Sequence, residues 1–161
     1  FPDYFADLEA RVSAPSLVGG RWFRSVVHEP YASPVLHVSD RPDDPGEVLL
    51  EIRVPSTKGW RSAYLEARER AAFDWALVST AVALKVEGGV VKDARVVLGQ
   101  VATIPWRAAA AEKALVGKPV GAASAEAAGK AAVLGAEPMT DNGYKVDLVT
   151  TLVRRTVASL A

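Results

Sequence analysis

Hydrophobic and polar residues alternate most regularly between residues 78 and 86. Valine, threonine and leucine occupy the even positions of this run, and serine, alanine and lysine occupy the odd positions. A period of two residues is typical of a β-strand with one buried face. Gly88 and Gly89 end the run, and adjacent glycines accept the positive φ angles that a tight turn needs. A second apolar run covers residues 90–101. The pattern therefore predicts a long β-hairpin, preceded by another strand that begins near Arg61.

The C-terminal third has a different pattern, rich in alanine and punctuated by glycine and proline. It predicts three helices, over residues 106–116, 122–134 and 144–160. Pro105 suits the first turn of the first helix, and Thr103 is a candidate N-cap. Together with the hairpin, these helices predict an α+β fold: an antiparallel β-sheet with three helices packed on one side. The last helix carries an apolar stripe of Val146, Val149, Leu152, Val153, Val157 and Leu160.

The N-terminal part has a less regular pattern. Phe5, Leu8 and Val12 have the spacing of one face of a short helix. Strands are predicted over residues 21–28, 35–38 and 47–55, and the turn-forming residues 40–46 predict a surface loop. We expect two parts, an N-terminal segment of residues 1–55 and a domain of residues 56–161.

Composition and charge exclude several classes of function. Half of the 161 residues are hydrophobic, and 19 basic side chains balance 19 acidic ones. This balance argues against a nucleic-acid or anionic-membrane surface as the main partner. The chain has no cysteine, which excludes disulfides and cysteine-ligated iron–sulfur clusters within it. It has neither an apolar run of membrane-spanning length nor the layout of a signal peptide, so we expect a cytoplasmic protein. Because it begins with Phe1, we expect a processed or truncated piece.

A cluster of charged and aromatic residues precedes the hairpin. Arginines offer fixed charge and forked donors for an anion, aromatic rings can contact a ring system, and an aspartate can orient an arginine or accept a ribose hydroxyl. An alternative is an exposed charged bend in which the two aromatic residues are core anchors. The cluster comprises Arg68, Arg70, Phe73, Asp74 and Trp75.

Other candidate chemistry has little support. His28 and His37 are too few for a zinc site, which needs three or four converging ligands. No serine has the glycine pattern of a nucleophile elbow. The pairs Gly19–Gly20 and Gly88–Gly89 are unlike a loop that cradles phosphate.

Three ordered blocks carry a resemblance to a known family: AYLEARERAAFDWALVSTAVAL, GGVVKDARVVLGQVATIPWRAAAAEKALVGKP and DNGYKVDLVTTLVRRTV. They resemble the C-terminal domain of the FAD-binding medium subunit of molybdenum hydroxylases, the group of xanthine dehydrogenase, CO dehydrogenase and aldehyde oxidoreductase. The resemblance covers residues 47–161. It implies an oxidoreductase subunit that helps to pass electrons from iron–sulfur clusters through FAD to an external acceptor. The implied partners are a molybdopterin-binding large subunit, a small subunit with 2Fe–2S clusters and an FAD-binding N-terminal domain.

The resemblance also implies which residues lie near the flavin. In the family, the stretch matching residues 70–75 is close to the flavin ring, an arginine recurs at the position of Arg70, and a basic residue matches Lys145. Trp75 stands where many CO dehydrogenase-type members have tyrosine or phenylalanine. Without the resemblance, Lys145 would be interpreted as a solvated lysine. The implied flavin-site residues are Arg68, Arg70, Phe73, Asp74, Trp75 and Lys145.

One departure limits what this chain is expected to do alone. The family holds the FAD pyrophosphate with glycine-rich loops of a larger N-terminal domain, and residues 1–55 do not match them. Those residues would be a remnant of that domain or a replacement for it. The chain is thus expected to form one wall of the flavin site and to be inactive alone. The alternative function is a non-catalytic docking or assembly module with the same fold.

Overall fold

The chain divides into two compact units, residues 2–57 and residues 58–161. The computed structural model describes the backbone of residues 9–13, 21–24, 48–53, 57–71, 73–103 and 105–161, and side chains from residue 57 onward with the same gaps.

The N-terminal unit contains a three-stranded antiparallel sheet in the order β2–β1–β3, formed by β1 (Glu9–Ser13), β2 (Arg21–Arg24) and β3 (Val48–Arg53). The strands predicted over residues 21–28 and 47–55 are confirmed within these bounds. The helix predicted from the spacing of Phe5, Leu8 and Val12 is wrong over residues 9–13, which pair with strands on both sides. A central strand gains two ladders of backbone hydrogen bonds, and this tertiary gain overrides a short helical pattern. Phe5, Leu8, the strand predicted at 35–38 and the loop at 40–46 lie outside the described residues.

The second unit contains a four-stranded antiparallel sheet in the order β4–β5–β6–β7. Its central hairpin pairs β5 (Val78–Glu87) with β6 (Val90–Gly99), and β4 (Trp60–Ala67) flanks β5. Gly88 and Gly89 form the turn with φ of +59° and +78°. The predicted hairpin, its turn and the preceding strand are confirmed.

The start of the first predicted helix was wrong. Trp106 and Arg107 form the short strand β7 (Trp106–Arg107), which pairs with Leu98 and Val97 of β6. Helix α1 (Ala109–Leu115) begins only after Ala108, without a side-chain cap, so Thr103 is not its N-cap. The physical reason is the open edge of β6, whose backbone groups gain partners from the passing chain.

The other two helices match their predictions within two residues at each end. They are α2 (Ala122–Ala132) and α3 (Tyr144–Ala158). Helix α3 packs on β4 and β5, α1 packs on β6, and α2 packs between α1 and α3. The three helices thus cover one face of the sheet, and the α+β prediction is confirmed. The core between them includes Val82, Leu84, Val96, Leu115, Val153 and Val157.

The alanine-rich sequence allows close contact between α2 and α3. A Cβ atom placed on Gly129 would lie 2.6 Å from the Thr150 carbonyl oxygen, closer than real Cβ contacts come. Gly129 therefore sets the approach of the two helices.

Candidate functional site

The segment of residues 68–77 joins β4 to β5, and we call it the corner. Its ends are tied by a hydrogen bond from the Leu77 N–H to the Ala67 carbonyl, 2.8 Å between nitrogen and oxygen. Inside it, the Arg70 backbone N–H donates to the Asp74 carboxylate over 3.1 Å. The Asp74 side chain thus orients the arginine through its backbone. These two bonds fold the corner back on itself and fix which side chains it presents.

The corner presents two aromatic side chains to solvent. Phe73 is fully exposed, and Trp75 is 90% exposed. The alternative in which they are core anchors is therefore wrong. Phe73 also has a φ of +54°, in the left-handed region that bulky residues avoid. Large exposed aromatic rings on a strained backbone indicate a surface that meets another molecule.

The charged residues of the corner are arranged differently from one another. Arg68 forms an ion pair with Glu66 of β4, and the Tyr64 hydroxyl hydrogen-bonds the same carboxylate. Arg70 is exposed, and within the part of the chain that the structure describes its guanidinium has no ion-pair partner. Arg70 therefore presents its fork of donors to the surroundings, while Arg68 is held against the sheet.

Lys145 lies in the first turn of α3, where the helix dipole disfavours a cation. Its Nζ donates to the carbonyl oxygen of Gln100 over 2.7 Å, a contact between residues 45 positions apart. This bond accounts for a lysine at a helix start. It uses one of the three N–H donors of the ammonium group, and the other two have no hydrogen-bond partner among the residues that the structure describes.

The register of the sheet brings the corner and Lys145 to the same end. Ala67 pairs with Val78, and Ser79 pairs with Gly99, the residue before Gln100. The glycine turn of the hairpin lies at the opposite end. We call the end that carries residues 68–77, Gln100 and Lys145 the corner end of the sheet.

A cleft of about 230 Å³ adjoins Lys145. It lies between the end of β6, the segment after α2 and the start of α3, and its walls are mostly apolar. It could not be predicted from sequence patterns, because its walls come from three separate segments. The lining includes Leu98, Val101, Trp106, Leu134, Pro138 and Val146.

Sequence reasoning also missed a partly buried ion pair formed by Arg107, the residue after Trp106 of this cleft. The Glu112 carboxylate, nearly buried in α1, accepts hydrogen bonds from the Arg107 guanidinium at 3.0–3.2 Å and from the Val96 backbone N–H at 3.0 Å. The Ala108 N–H donates to the Val96 carbonyl over 2.9 Å. These bonds fasten α1 to the edge of the sheet, so the role of Glu112 is structural.

Other kinds of site are not found in the described part of the chain. No group of three or more potential metal ligands occurs there, and none of its helices has the length and apolar character to cross a membrane. His28 and His37 lie outside the described residues.

Comparisons with known proteins give the same family from sequence and from structure. The profile of the CO dehydrogenase flavoprotein C-terminal domain matches residues 62–160. The FAD-binding subunit PaoB of the Escherichia coli aldehyde oxidoreductase is 33% identical over 116 residues, which cover 72% of this chain and 32% of that subunit. The CO dehydrogenase medium chain of Hydrogenophaga pseudoflava is 33% identical over 114 residues, 68% of this chain and 39% of that one. The chain thus spans about a third of the length of these relatives.

Solved structures extend the likeness to nearly the whole chain. A CO dehydrogenase from Hydrogenophaga pseudoflava, in a form that lacks the Mo-pyranopterin moiety, superposes with a TM-score of 0.74 at 28% identity, over 96% of this chain and 52% of that one. Quinoline 2-oxidoreductase from Pseudomonas putida 86 shares the fold with a TM-score of 0.77 at 24% identity, over 99% of this chain and 54% of that one. The chain belongs to the CO dehydrogenase flavoprotein C-terminal domain family, found in the FAD-binding subunits of molybdenum hydroxylases.

Proposed function

We propose that the corner end of the sheet is one wall of a flavin site in the FAD-binding subunit of a molybdenum hydroxylase. The observation that carries the proposal is the exposure of Phe73 and Trp75 in the same short corner as Arg70, whose guanidinium is exposed and has no ion-pair partner among the described residues. The relatives named as FAD-binding or medium subunits support the choice of ligand.

The residues at the corner end fit the chemistry of a flavin. Its ring system is flat and largely apolar, so exposed aromatic side chains can cover it. Its edges are polar, and the ring gains negative charge when it is reduced, so nearby arginine and lysine donors stabilise the reduced form. Arg68, Arg70, Phe73, Asp74, Trp75 and Lys145 would hold or cover the cofactor.

When bound, FAD would accept electrons from iron–sulfur clusters and pass them to an external acceptor. This chain would supply position and electrostatics, while the redox chemistry belongs to the cofactors. We place the 2Fe–2S clusters and the molybdopterin in partner subunits, a small and a large one, in an enzyme of the xanthine, aldehyde or CO dehydrogenase type. The setting would be the cytoplasm.

The proposal requires a second source of FAD contacts. Residues 56–161 would be the domain with the flavin wall, and residues 1–55 the remnant of an FAD-binding domain. The pyrophosphate would be held by another domain or chain, because the described part of this chain contains no glycine-rich phosphate loop. The chain alone would accordingly be inactive.

The test is removal of the Arg70 and Lys145 charges in the complex assembled with its partner subunits. Arg70→Ala with Lys145→Ala should weaken FAD binding and slow flavin reduction by substrate. A matched control is Lys92→Ala with Lys118→Ala. It removes two exposed lysines near the hairpin turn, where Val91 N–H donates to the Lys118 carbonyl. Equal flavin content and equal reduction rates in the two double variants would contradict the assignment of Arg70 and Lys145 to a flavin site.

A docking or assembly module is the second candidate, and one observation favours it. Leu134 is well exposed and lines the cleft together with half-exposed Trp106. Met139 is also well exposed and follows Pro138, another residue of the cleft lining. Leu134→Ser with Met139→Ser should release the partner subunits if this surface is for docking. Loss of assembly in that variant, together with normal flavin behaviour in Arg70→Ala/Lys145→Ala, would favour the docking module over the flavin wall.

A further inference from the structure

Two non-glycine residues have positive φ angles in the described ranges: Phe73 at +54° and Gln100 at +61°. L-residues rarely adopt this conformation, and neither side chain is one that favours it. Both residues lie at the corner end of the sheet, although they are far apart in the sequence. Strained backbone persists where the surrounding structure enforces it, and such positions cluster at binding and active sites.

Gln100 is held in this conformation from two sides. Gly99, just before it, is paired with Ser79, and a Cβ on Gly99 would lie 2.3 Å from the Ser79 hydroxyl oxygen, so the chain leaves β6 along a path that suits glycine. Behind it, the Lys145 ammonium donates to the Gln100 carbonyl over 2.7 Å. The backbone of Gln100 is thus fixed, while its side chain is exposed.

The side-chain amide of Gln100 has no hydrogen-bond partner among the residues that the structure describes. Gln100 is one position beyond the Ser79–Gly99 pair, and β5 separates it from the β4 end of the corner. Neighbouring strands are about 4.8 Å apart, so Gln100 and Ala67 are separated by about 10 Å across the sheet. This backbone separation is comparable to the length of a tricyclic ring system.

We infer that Gln100 is a further residue of the flavin site and that Lys145 is its positioning residue. This inference rests on the proposed function. A primary amide offers one acceptor and two donors, which match the alternating C=O and N–H groups along the pyrimidine edge of a flavin. Lys145 fixes the Gln100 backbone with one N–H and keeps two N–H groups for charge stabilisation.

The experiment compares Gln100→Met and Gln100→Gly in the complex with its partner subunits, after removal of FAD and titration with FAD. Methionine keeps the side-chain length and the backbone strain but loses the amide. Glycine accepts the positive φ angle and also loses the amide. Both variants should weaken FAD binding by about 5- to 10-fold, the net effect of about one hydrogen bond. Only Gln100→Gly should raise the thermal midpoint.

A spectroscopic readout separates positioning from general damage. Gln100→Met should shift the visible absorption band of bound FAD. Lys145→Met should give a shift of the same sign, and the double variant should add little to either, because the two residues act through one contact. If wild-type complex holds FAD but Gln100→Met leaves affinity and spectrum unchanged, the role of Gln100 is overturned while the proposed function stands. If wild-type complex holds no FAD, the proposed function fails, and the inference fails with it.

Discussion

Two buried threonines allow a sharp test of how the core is stabilised. Thr80 in β5 and Thr156 in α3 are both fully buried, with 0% exposure. The Thr156 hydroxyl donates to the Leu152 carbonyl over 2.8 Å. The Thr80 hydroxyl has no hydrogen-bond partner in the described part of the chain. Threonine and valine have nearly the same shape, so Thr→Val at each site isolates the hydroxyl.

The expected magnitudes follow from that difference. Burying a hydroxyl without a partner costs about 1–3 kcal/mol, and Thr80→Val removes that cost without opening a cavity. Valine is also at least as favourable as threonine in a strand. We therefore expect Thr80→Val to raise the free energy of unfolding by about 1–2 kcal/mol. Thr156→Val loses a satisfied bond worth about 0.5–1.5 kcal/mol, so it should be neutral or less stable than wild type.

The assay is urea unfolding of the full chain followed by tryptophan fluorescence, with thermal unfolding as a second measure. At about 2–4 °C per kcal/mol for a chain of this size, Thr80→Val should raise the thermal midpoint by roughly 2–8 °C. The denaturant slope should stay the same in both variants. A Thr80→Val variant that is less stable than wild type would refute the reasoning, since it would show that the hydroxyl is hydrogen-bonded, for example to a buried water.

Three further substitutions test other parts of the structure. Glu112→Ala leaves the Arg107 charge and the Val96 N–H without this acceptor and should lower the free energy of unfolding by about 2–4 kcal/mol in urea titrations. A loss below about 0.5 kcal/mol would show that the pair does not fasten α1. Gly129→Ala gains about 1 kcal/mol of helix propensity but presses on the Thr150 carbonyl, so a net loss of about 0–2 kcal/mol in the free energy of unfolding is expected. A clear gain in stability by Gly129→Ala would show that the helices separate freely. Phe73→Gly relieves a strained φ and removes no core contact, so the free energy of unfolding should stay the same or rise by about 0.5–1 kcal/mol, while FAD binding by the complex weakens. Unchanged FAD binding would remove Phe73 from the site.

The fold was largely predictable because its signals are local. The alternation over residues 78–86 and the Gly88–Gly89 turn specify a hairpin without help from the rest of the chain. The apolar stripe of α3 does the same for the last helix. The errors fell where pairing with a distant segment decided the structure: Glu9–Ser13 became a strand between two others, and Trp106 joined the edge of β6.

The candidate site was predictable only as a set of residue types. A cluster of arginine, aspartate, phenylalanine and tryptophan is equally compatible with a packed bend and with a ligand surface. Only the exposure of Phe73 and Trp75 distinguishes the two. The hydrogen bond between Lys145 and Gln100 joins residues 45 positions apart, so no local sequence pattern predicts it. Gln100 itself looks ordinary in the sequence, because its unusual feature is a backbone angle.

The separation between core and corner end has a consequence for how variants should behave. The core of the second unit lies under the helix-covered face of the sheet, where Glu112 and Gly129 make contacts that hold elements together. Phe73 and Gln100 are exposed and strained, so they contribute little to folding and oppose it slightly. Exposed residues whose strained backbone lowers stability are the ones expected to serve binding. Core variants should therefore change the free energy of unfolding and leave the flavin affinity of the folded protein normal. Corner-end variants should weaken flavin affinity without lowering the free energy of unfolding. A corner-end variant that loses stability and flavin together would mean that the strain is part of the fold and not of a site.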